Sequence, residues 1–284
     1  MSGSDARLGL SEALGIWASG VHLGLKLLPR SPIQGAKRIL LPVSYWRTAE
    51  FIYASRKLAS LPSGATAFDL GSPKELPAFL SRWRGLVVRA TDILQSAVIQ
   101  GQTYSCALFG GVSGDRFLAE LQDGRSLTYA DGTFDAAFSI SVIEHIPGTG
   151  DSDAVRELVR VVRPGGKVVI TVPFDRRYRE TFVPRPVYER ERVGDELVFF
   201  ERHYDQDSLA RRILLASDAE VAEVVIWGEG RFRGERMLTR LGKLRSILAP
   251  FEALLAWGAL HTVNSASNEH PMAAFITLRK PIPR

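Results

Sequence analysis

The chain has 284 residues, of which 45% are hydrophobic and 24% are charged, and its formal net charge is +5. These are ordinary values for a globular protein, and the length allows one large domain or one domain with additions. The single cysteine, Cys106, excludes an internal disulfide framework and a zinc site built from several cysteines, and it fits a reducing compartment.

The first residues lack the charged and apolar regions of a signal peptide, and no stretch reaches ~18 uninterrupted apolar residues. We therefore expect a cytoplasmic protein without a transmembrane helix. Two shorter apolar stretches, residues 15–28 and 247–263, leave association with a membrane surface open.

Residues 1–60 show helical periodicity and no strand pattern, which predicts a helical extension ahead of a main domain over residues 61–284. One of these helices would lie just before the first strand. Its apolar face would consist of Tyr45, Phe51, Ile52 and Leu58.

From residue 65 onwards strand and helix patterns alternate along the chain. Apolar runs bounded by turn residues predict strands over residues 65–70, 85–92, 117–121, 134–141 and 167–172. Strands that alternate with helices imply a parallel sheet with right-handed crossovers.

Two helix starts and one helix end carry local signals. Ser72-Pro73 predicts a start with Ser72 as the N-cap and Pro73 at the first helical position. Asp151 predicts a second start, and Pro164-Gly165-Gly166 would end that helix before the fifth strand. The buried face of this second helix would be Val155, Leu158, Val159 and Val162.

The alternation stops after residue 174. Residues 187–192 and 196–200 flank Val193-Gly194-Asp195 and predict a β-hairpin, which we interpret as an inserted lid over residues 175–204. The remaining elements are predicted as a helix over 205–215, a strand over 221–227 and a final strand over 272–278.

Residues 231–264 join a basic run to an apolar stretch and predict a helical region. Between residues 231 and 245, six basic side chains oppose the single acid Glu235: Arg231, Arg233, Arg236, Arg240, Lys243 and Arg245. The first interpretation is a solvated helix face followed by a core or lid helix. The alternative is a surface for an anionic substrate or for lipid headgroups.

Two segments carry a family resemblance. Leu127–Pro147 contains Asp131-Gly-Thr-Phe-Asp135, a buried strand and Ser141-Val-Ile-Glu-His145, and residues 161–173 contain Arg163-Pro-Gly-Gly-Lys167. Together they resemble the fourth and fifth strands of a class I S-adenosylmethionine-dependent methyltransferase of type 11. The resemblance spans roughly residues 45–280. It implies an α/β, Rossmann-like, seven-stranded and mostly parallel sheet, with helices on both faces and an antiparallel last strand.

The resemblance also implies S-adenosyl-L-methionine as cofactor and S-adenosyl-L-homocysteine as product, with no metal. In an open parallel sheet, ligands bind beyond the carboxyl ends of the strands. Asp69, Asp92 and Asp123 follow the first three predicted strands. Asp92 would accept from the ribose hydroxyls, and Asp123 with Gly124 would bind the adenine.

The end of the fourth strand and the first loop supply further cofactor candidates. Ser139 and Ser141 are polar residues at the end of the fourth strand. Most relatives carry three alternating glycines in the first loop, whereas Asp69-Leu-Gly-Ser-Pro-Lys-Glu75 keeps only Gly71. Ser72 is a cofactor candidate beside it. Lys74 would pair with the methionine carboxylate or would be an ordinary solvent-facing lysine.

Methyl transfer from a sulfonium is a direct displacement, so positioning supplies much of the acceleration. A general base is needed only when the accepting group carries a proton. The catalytic candidates are His203, after the predicted hairpin, and His145, which would also line the pocket. A structural or surface role is the alternative for each histidine.

The candidate substrate residues are Glu144, Arg177, Tyr178 and Tyr204. The chain has no Asp/Asn-Pro-Pro-Tyr/Phe sequence after the fourth strand and no basic patch interleaved with aromatics, which argues against a nucleic acid as substrate. It also lacks a P-loop and the full dinucleotide fingerprint.

We therefore expect O-methylation of a small molecule, such as a sugar-containing or secondary metabolite. A non-catalytic methyltransferase-like binding protein and a peripheral membrane lipid methyltransferase are the alternatives. The sequence leaves the oligomeric state open, a homodimer included.

Overall fold

The computed structural model describes residues 6–110, 116–184, 197–264 and 269–283. Three helices precede the first strand: α1 (Leu10–Leu27), α2 (Pro32–Leu40) and α3 (Tyr45–Leu58). Almost all of α3 is buried, including its predicted apolar face, because it packs between the sheet, α1 and a helix near the C-terminus. The helical pattern of this region is confirmed, whereas the domain boundary at residue 60 stays a prediction.

The described residues form ten strands. They are β1 (Thr66–Leu70), β2 (Val87–Asp92), β3 (Phe117–Leu121), β4 (Phe134–Ile140), β5 (Val162–Pro173), β6 (Arg179–Val183), β7 (Val198–His203), β8 (Glu220–Glu229), β9 (Leu260–Thr262) and β10 (His270–Arg279). The later helices are α4 (Glu75–Trp83), α5 (Gln95–Phe109), α6 (Gly150–Val161), α7 (Gln206–Leu209), α8 (Gly234–Arg240), α9 (Arg245–Leu248) and α10 (Glu252–Ala259). Among the described residues, no helix is both long and apolar enough to cross a bilayer.

One sheet contains eight of these strands, in the order β3-β2-β1-β4-β5-β10-β8-β9. The first five of that order pair in parallel, and β10 runs antiparallel to both β5 and β8. One buried apolar cluster lies between the sheet and the α1, α3 and α5 side, and a second lies on the α6 side. A mostly parallel sheet with helices on both faces and an antiparallel last strand is thus confirmed.

The prediction of seven strands was wrong by one. β9 adds an eighth strand, because Leu260–Thr262 pairs antiparallel with Trp227–Glu229 of β8. This pairing covers the free edge of β8 at that end, which would otherwise present unpaired backbone groups. The predicted helical region over 231–264 therefore ends as a strand.

Pro164-Gly165-Gly166 does not form a separate loop between helix and strand. α6 ends at Val161, and β5 begins at once with Val162. The pairing with β4 jumps from Phe134–Val162 to Ala136–Lys167, so the Pro-Gly-Gly residues form an irregular start of β5. Gly165 has a φ of +78°, which glycine adopts at little steric cost.

The hairpin after β5 differs from its prediction. Its observed strands are β6 and β7, which pair from Arg179–His203 to Val183–Val198. The predicted strand over 187–192 lies outside the described residues. The predicted strand over 196–200 corresponds to part of β7, which continues to His203 because its later residues pair with β6.

Candidate active site

A cleft of ≈ 450 Å³ opens at the edge of the sheet where β1 to β4 end. Its volume lies within the range of about 300–1,000 Å³ that is common for small-molecule sites. The cleft is lined by Leu70, Gly71, Asp92, Ile93, Leu94, Gln122, Asp123, Gly124, Arg125, Ser141, Val142, His145, Ile146 and Pro147.

The structure divides the nine predicted cofactor residues into two groups. Five of them line the cleft: Gly71, Asp92, Asp123, Gly124 and Ser141. The other four are buried and are not among its lining residues: Asp69, Ser72, Lys74 and Ser139. The second group lies beneath the cleft, at the ends of β1 and β4 and in the first loop.

Ser72 and Ser139 connect the first loop to β4. The Ser72 hydroxyl accepts the backbone N–H of Ile140 at 3.0 Å, and the Ser139 hydroxyl donates to the carbonyl of Leu70 at 3.0 Å. The predicted N-cap role of Ser72 was wrong, because α4 begins only at Glu75 and the serine hydroxyl is used by β4.

Lys74 takes neither of its predicted positions. Its side chain is 2% exposed, and its Nζ lies 3.0 Å from Asp92 Oδ2 and 3.8 Å from Asp69 Oδ2. The same ammonium donates to the carbonyls of Ser72 and Thr91 at 3.0 and 3.2 Å. Lys74 therefore joins the ends of β1 and β2 beneath the cleft, and it neither lines the cleft nor faces solvent.

Asp69 is the most buried acid of this group. Its Oδ1 accepts the N–H of Ser72 at 3.2 Å, while among the described residues none hydrogen-bonds to Oδ2. Burial raises the pKa of Asp69 to about 6, and the nearby Lys74 ammonium opposes that shift. Burial therefore disfavours the ionised form of Asp69 by more than the Lys74 ammonium favours it.

Asp92 and Asp123 lie on the cleft wall, each with a cationic partner. Asp92 binds Lys74 through Oδ2 and accepts the N–H of Leu94 at 3.1 Å through Oδ1. Asp123 is bound by the guanidinium of Arg125, with Nη2 at 2.6 Å from Oδ2, and this hydrogen bonding lowers the pKa of Asp123. Arg125 had no predicted role, although it follows Asp123 by two residues.

Two glycines shape the cleft wall. Gly71 has a φ of +68°, and a Cβ there would lie 2.6 Å from Val142 Cγ1. A Cβ on Gly124 would lie 2.5 Å from Leu70 Cδ1. Both loops therefore approach their neighbours more closely than a side chain would allow.

Ser141 directly follows β4 in a strained conformation, with a φ of +51°. Its hydroxyl donates to Glu50 Oε1 at 2.5 Å, and the hydroxyl of Thr171 donates to the same oxygen at 2.7 Å. Glu50 belongs to α3 and is also paired with Arg47 at 2.6 Å. The N-terminal helices therefore hold the floor of the cleft, which nothing in the sequence pattern had indicated.

Glu144 and His145 lie side by side in the helical turn Ile143–His145. Glu144 is buried, no described residue hydrogen-bonds to its Oε2, and its Oε1 lies 3.7 Å from His145 Nε2. Burial raises the pKa of Glu144 well above its usual range, and the neighbouring Glu50 adds to that effect. Glu144 lies behind the cleft wall, whereas His145 lines the cleft.

His203 lies on β7 and is absent from the cleft lining. Its Nδ1 is 3.0 Å from Arg179 Nη2 and its Nε2 is 3.0 Å from Glu201 Oε1. Because arginine only donates, Nδ1 must accept and Nε2 carries the hydrogen. Both ring nitrogens of His203 are thus engaged within the hairpin.

Of the predicted substrate residues on the inserted segment, Arg177 and Tyr178 are exposed, and Tyr178 donates to Glu180 at 2.6 Å. Tyr204 is fully buried, and its hydroxyl donates to Asp151 at 2.8 Å. The structure therefore places Tyr204 in the interior, and its substrate contact stays a prediction. Burial, together with the Asp151 carboxylate, raises its pKa far above the usual range.

Asp151 and Arg202 attach the hairpin to α6. Arg202 is buried and donates to the carbonyls of Ile146 and Gly148, which lie at the cleft rim. Asp151 accepts from Tyr204 and from Arg212, whose Nε is 2.7 Å away. We name Asp151, Arg202, Tyr204 and Arg212 the hairpin clamp.

A second cleft lies at the same sheet edge, beyond β5. Its residues are at the end of β8, on α8 and at the start of β10, and because β10 is antiparallel its start lies where β5 ends. We name it the arginine cleft, and it is lined by Glu229, Arg233, Glu235, Arg236, Thr239, Arg240, His270 and Met272. No group of three or more His, Cys, Asp or Glu side chains among the described residues is arranged to hold a metal ion.

Residues 80–170 match the family model described as a methyltransferase domain. This part of the chain is therefore similar to a methyltransferase domain. It is 34% identical over 112 residues to the methyltransferase GfsG of Streptomyces halstedii, a match that covers 38% of this chain and 37% of the relative. The chain thus matches little more than a third of that relative's length.

Solved structures extend the methyltransferase likeness beyond residues 80–170. The [4+2]-cyclase SpnF has a TM-score of 0.55 at 18% identity, with 85% of each chain covered. The geranyl diphosphate C-methyltransferase of Streptomyces coelicolor A3(2), solved with Mg²⁺, geranyl diphosphate and S-adenosyl-L-homocysteine, has a TM-score of 0.53 at 12% identity. That match covers 82% of this chain and 77% of the other. The predicted class I methyltransferase fold is confirmed.

Proposed function

We propose that this protein transfers a methyl group from S-adenosyl-L-methionine to a small-molecule acceptor, with S-adenosyl-L-homocysteine as product. The observation that carries this proposal is the cleft of the methyltransferase domain, where Asp92 and Asp123 follow neighbouring strands on one wall. The similar fold of a [4+2]-cyclase means that the fold alone does not decide the reaction. The residues of the cleft must therefore support the assignment.

The cleft residues fit the cofactor. Asp92 would accept from the ribose hydroxyls and Asp123 from the adenine amino group, because a carboxylate is an acceptor-only group. Ile93, an exposed apolar residue of the cleft lining, would pack against the adenine ring. When bound, the cofactor supplies a methyl group on a positively charged sulfur, which is already activated for transfer.

Asp123 can serve this role only if Arg125 shares its carboxylate. The pair is well exposed on both sides, so solvent already weakens it, and such pairs contribute about 0–1 kcal/mol. The cost of moving Arg125 aside is therefore small. Lys74 has a different part in the proposal, because its ammonium holds the Asp92 carboxylate in place from beneath.

His145 is a better candidate than His203 for the general base. Its Nδ1 lies 2.8 Å from the carbonyl of Phe200, which can only accept, so Nδ1 carries the hydrogen and Nε2 is the basic nitrogen. His145 Nε2 would accept the proton that an acceptor hydroxyl loses when it is methylated. Glu144 Oε1 lies 3.7 Å from this nitrogen, but burial favours the neutral form of that carboxyl, so Glu144 would supply little counter-charge to a protonated His145.

The two histidines should therefore differ in tautomer. Nitrogen–proton correlation spectra of the neutral side chains should show the Nδ1–H form for His145 and the Nε2–H form for His203. His145→Gln and His203→Gln assign the two sets of signals. The Nε2–H form in His145 would exclude it as the base, because its basic nitrogen would then face the Phe200 carbonyl.

The acceptor is proposed to be a polar or anionic small molecule, methylated on oxygen. Arg177 and Tyr178 are exposed on the inserted segment, and Arg233, Arg236 and Arg240 line the arginine cleft at the same sheet edge. The guanidinium group of arginine can donate two parallel hydrogen bonds to a carboxylate or a phosphate group. The similar structure that contains geranyl diphosphate shows that this fold can serve an anionic small molecule.

Calorimetric titration with S-adenosyl-L-methionine and S-adenosyl-L-homocysteine tests the cofactor assignment. We expect micromolar binding of at least one of them and a loss of about tenfold in affinity for Asp123→Ala, which corresponds to one charge-assisted hydrogen bond. The matched control is Asp153→Ala, because Asp153 is an exposed acid paired with Arg156 at 2.5 Å but outside the cleft. Its affinity should equal that of the wild type.

Absence of binding at millimolar ligand would contradict the proposal. The protein would then be a methyltransferase-like binding protein, and a specific observation favours that second function. Both cleft acids already have cationic partners, Lys74 for Asp92 and Arg125 for Asp123. The first loop also lacks two of the glycines that its relatives carry.

A further inference from the structure

The helical segment from α8 to α10 carries apolar side chains on two faces. Its inner face, which packs on the rest of the protein, combines buried alanines with the buried Leu238 and with partly buried larger side chains: Ala249, Ala253, Ala256, Ala259, Met237, Leu241, Leu248 and Leu255. Its outer face carries a second set of large apolar side chains, which are 39–68% exposed. We name this second set the outer stripe: Leu244, Ile247, Phe251, Leu254 and Trp257.

The outer stripe follows one side of the segment. Its members are three or four residues apart, which is the spacing that places side chains on the same face of a helix. A surface helix ordinarily turns its larger apolar residues toward the core. Exposed apolar clusters of this kind mark interaction sites more often than isolated apolar residues do.

The inner face is firmly anchored, so the stripe is held outward. Glu252 accepts the N–H of Tyr45 at 2.7 Å and is paired with Arg245 at 2.7 Å. The indole of Trp17 donates to the carbonyl of Pro250 at 2.8 Å. These contacts bind the segment to α1 and α3. They fix its orientation, so that the outer stripe stays on the surface.

The exposed charged residues within the segment itself all have one sign. Of the two acids between residues 231 and 263, Glu252 is buried and Glu235 is partly buried. The exposed charged residues of that range form what we name the basic rim: Arg231, Arg236, Arg240 and Lys243. This charge complements an anionic surface and would repel a basic partner.

We propose that the outer stripe and the basic rim form a docking surface for an anionic lipid bilayer. Apolar side chains of an interfacial helix enter the boundary between headgroups and acyl chains, while arginine and lysine contact the phosphates. Arg236 and Arg240 also line the arginine cleft, so docking would bring that cleft to the membrane surface. The proposal does not depend on methyl transfer.

Vesicle co-sedimentation tests it with two lipid compositions, phosphatidylcholine alone and phosphatidylcholine mixed equally with phosphatidylglycerol. The wild type should bind the mixed vesicles at low salt and should bind less as salt rises. Ile247→Ser/Phe251→Ser should lower the partition constant at least about tenfold, because two large apolar side chains leave the interface. Arg240→Glu/Lys243→Glu should also lower the partition constant at least about tenfold, because each lost basic side chain should weaken binding about fivefold or more.

Matched controls change equally exposed residues elsewhere. Leu215→Ser and Ile282→Ser replace exposed apolar residues, and Arg211→Glu reverses an exposed charge outside the basic rim. All three should bind the mixed vesicles as the wild type does. Failure of the wild type to bind them, or equal losses in the controls, would overturn the proposal. So would a dimeric mass that Ile247→Ser/Phe251→Ser converts to a monomer without any change in vesicle binding.

Discussion

Lys74→Met should lower the free energy of unfolding by about 3–5 kcal/mol, which is the usual cost of removing one partner of a buried ion pair. Methionine keeps most of the length and volume of the side chain. The variant leaves the carboxylates of Asp69 and Asp92 near each other with no cation between them, and it also leaves the carbonyls of Ser72 and Thr91 without their donor. Urea unfolding measures the loss.

The loss should grow with pH. Burial already raises the pKa of Asp69 to about 6 in the wild type, so the folded protein holds that proton more tightly than the unfolded chain does. The raised pKa of Asp69 therefore adds to the free energy of unfolding at low pH. This contribution is fully present below the pKa that Asp69 has in the unfolded chain, and it is lost as the pH rises through the pKa that Asp69 has in the folded protein. Without Lys74 the folded pKa rises further, so the deficit should be larger at about pH 8 than at about pH 5.

Two variants make this result specific. Lys57→Met removes a partly exposed lysine that pairs with Glu223 at 2.7 Å, and it should cost no more than about 1 kcal/mol. Lys74→Met/Asp69→Asn should recover part of the loss and should weaken its dependence on pH. Equal losses for Lys74→Met and Lys57→Met, or a deficit that does not change with pH, would contradict the assigned role of Lys74.

The sheet and its cleft acids could be predicted because their signals are local. Each parallel strand is a short apolar run, and Asp92 and Asp123 follow such runs directly. A residue that directly follows a parallel strand in the sequence therefore lies at the carboxyl edge of the sheet. Gly71 and Gly124 lie in the loops after strands for the same reason. These residues line the cleft in the structure.

The contacts that the sequence did not show join residues far apart in the chain. Glu50 on α3 meets Ser141 after β4, and Arg202 on β7 meets the carbonyls at the cleft rim. No spacing rule connects such positions, because the pairing depends on how the elements pack. The N-terminal region carried a helical signal, but its part in the floor of the cleft had no signal at all.

The burial of Lys74 could not be predicted from the sequence either. A lysine after a Ser-Pro turn is compatible with a ligand contact and with a solvent position, and the sequence offers no means of recognising a buried one. Burial became possible because two carboxylates and two carbonyls surround the ammonium. Charged groups are buried when such partners exist. Tyr204 is a similar case, since its hydroxyl reaches Asp151 in the interior.

Asp151→Ala should lower the free energy of unfolding by about 3 kcal/mol or more, because it breaks the hairpin clamp from its centre. Asp151 is fully buried and accepts from both Tyr204 and Arg212. Its loss leaves the Tyr204 hydroxyl without its acceptor and removes the carboxylate that pairs with Arg212 at 2.7 Å and lies 3.7 Å from the buried Arg202. Urea unfolding measures this change as well.

When the hairpin clamp is broken, we expect the hairpin of β6 and β7 to open before the rest of the sheet. β7 carries the carbonyl of Phe200, which lies 2.8 Å from His145 Nδ1, so the position of the proposed base depends on the hairpin. In Asp151→Ala, amide hydrogen exchange should accelerate over β6 and β7 by more than it does over β4. Proteins open locally in units that make few contacts with the core, and the hairpin would be such a unit once Asp151 is removed.

Asp153→Ala is the control on the same helix. Asp153 lies two residues further along α6, is exposed and pairs with Arg156, so its removal should cost no more than about 1 kcal/mol and should leave exchange in β7 unchanged. If Asp151→Ala costs as little as this control, Arg202 must hold the hairpin through the carbonyls of Ile146 and Gly148 alone. If the stability falls but β4 exchanges as fast as β7, the clamp stabilises the whole domain and does not specifically hold the hairpin. In the second case the position of His145 would depend on the whole domain and not on the hairpin alone.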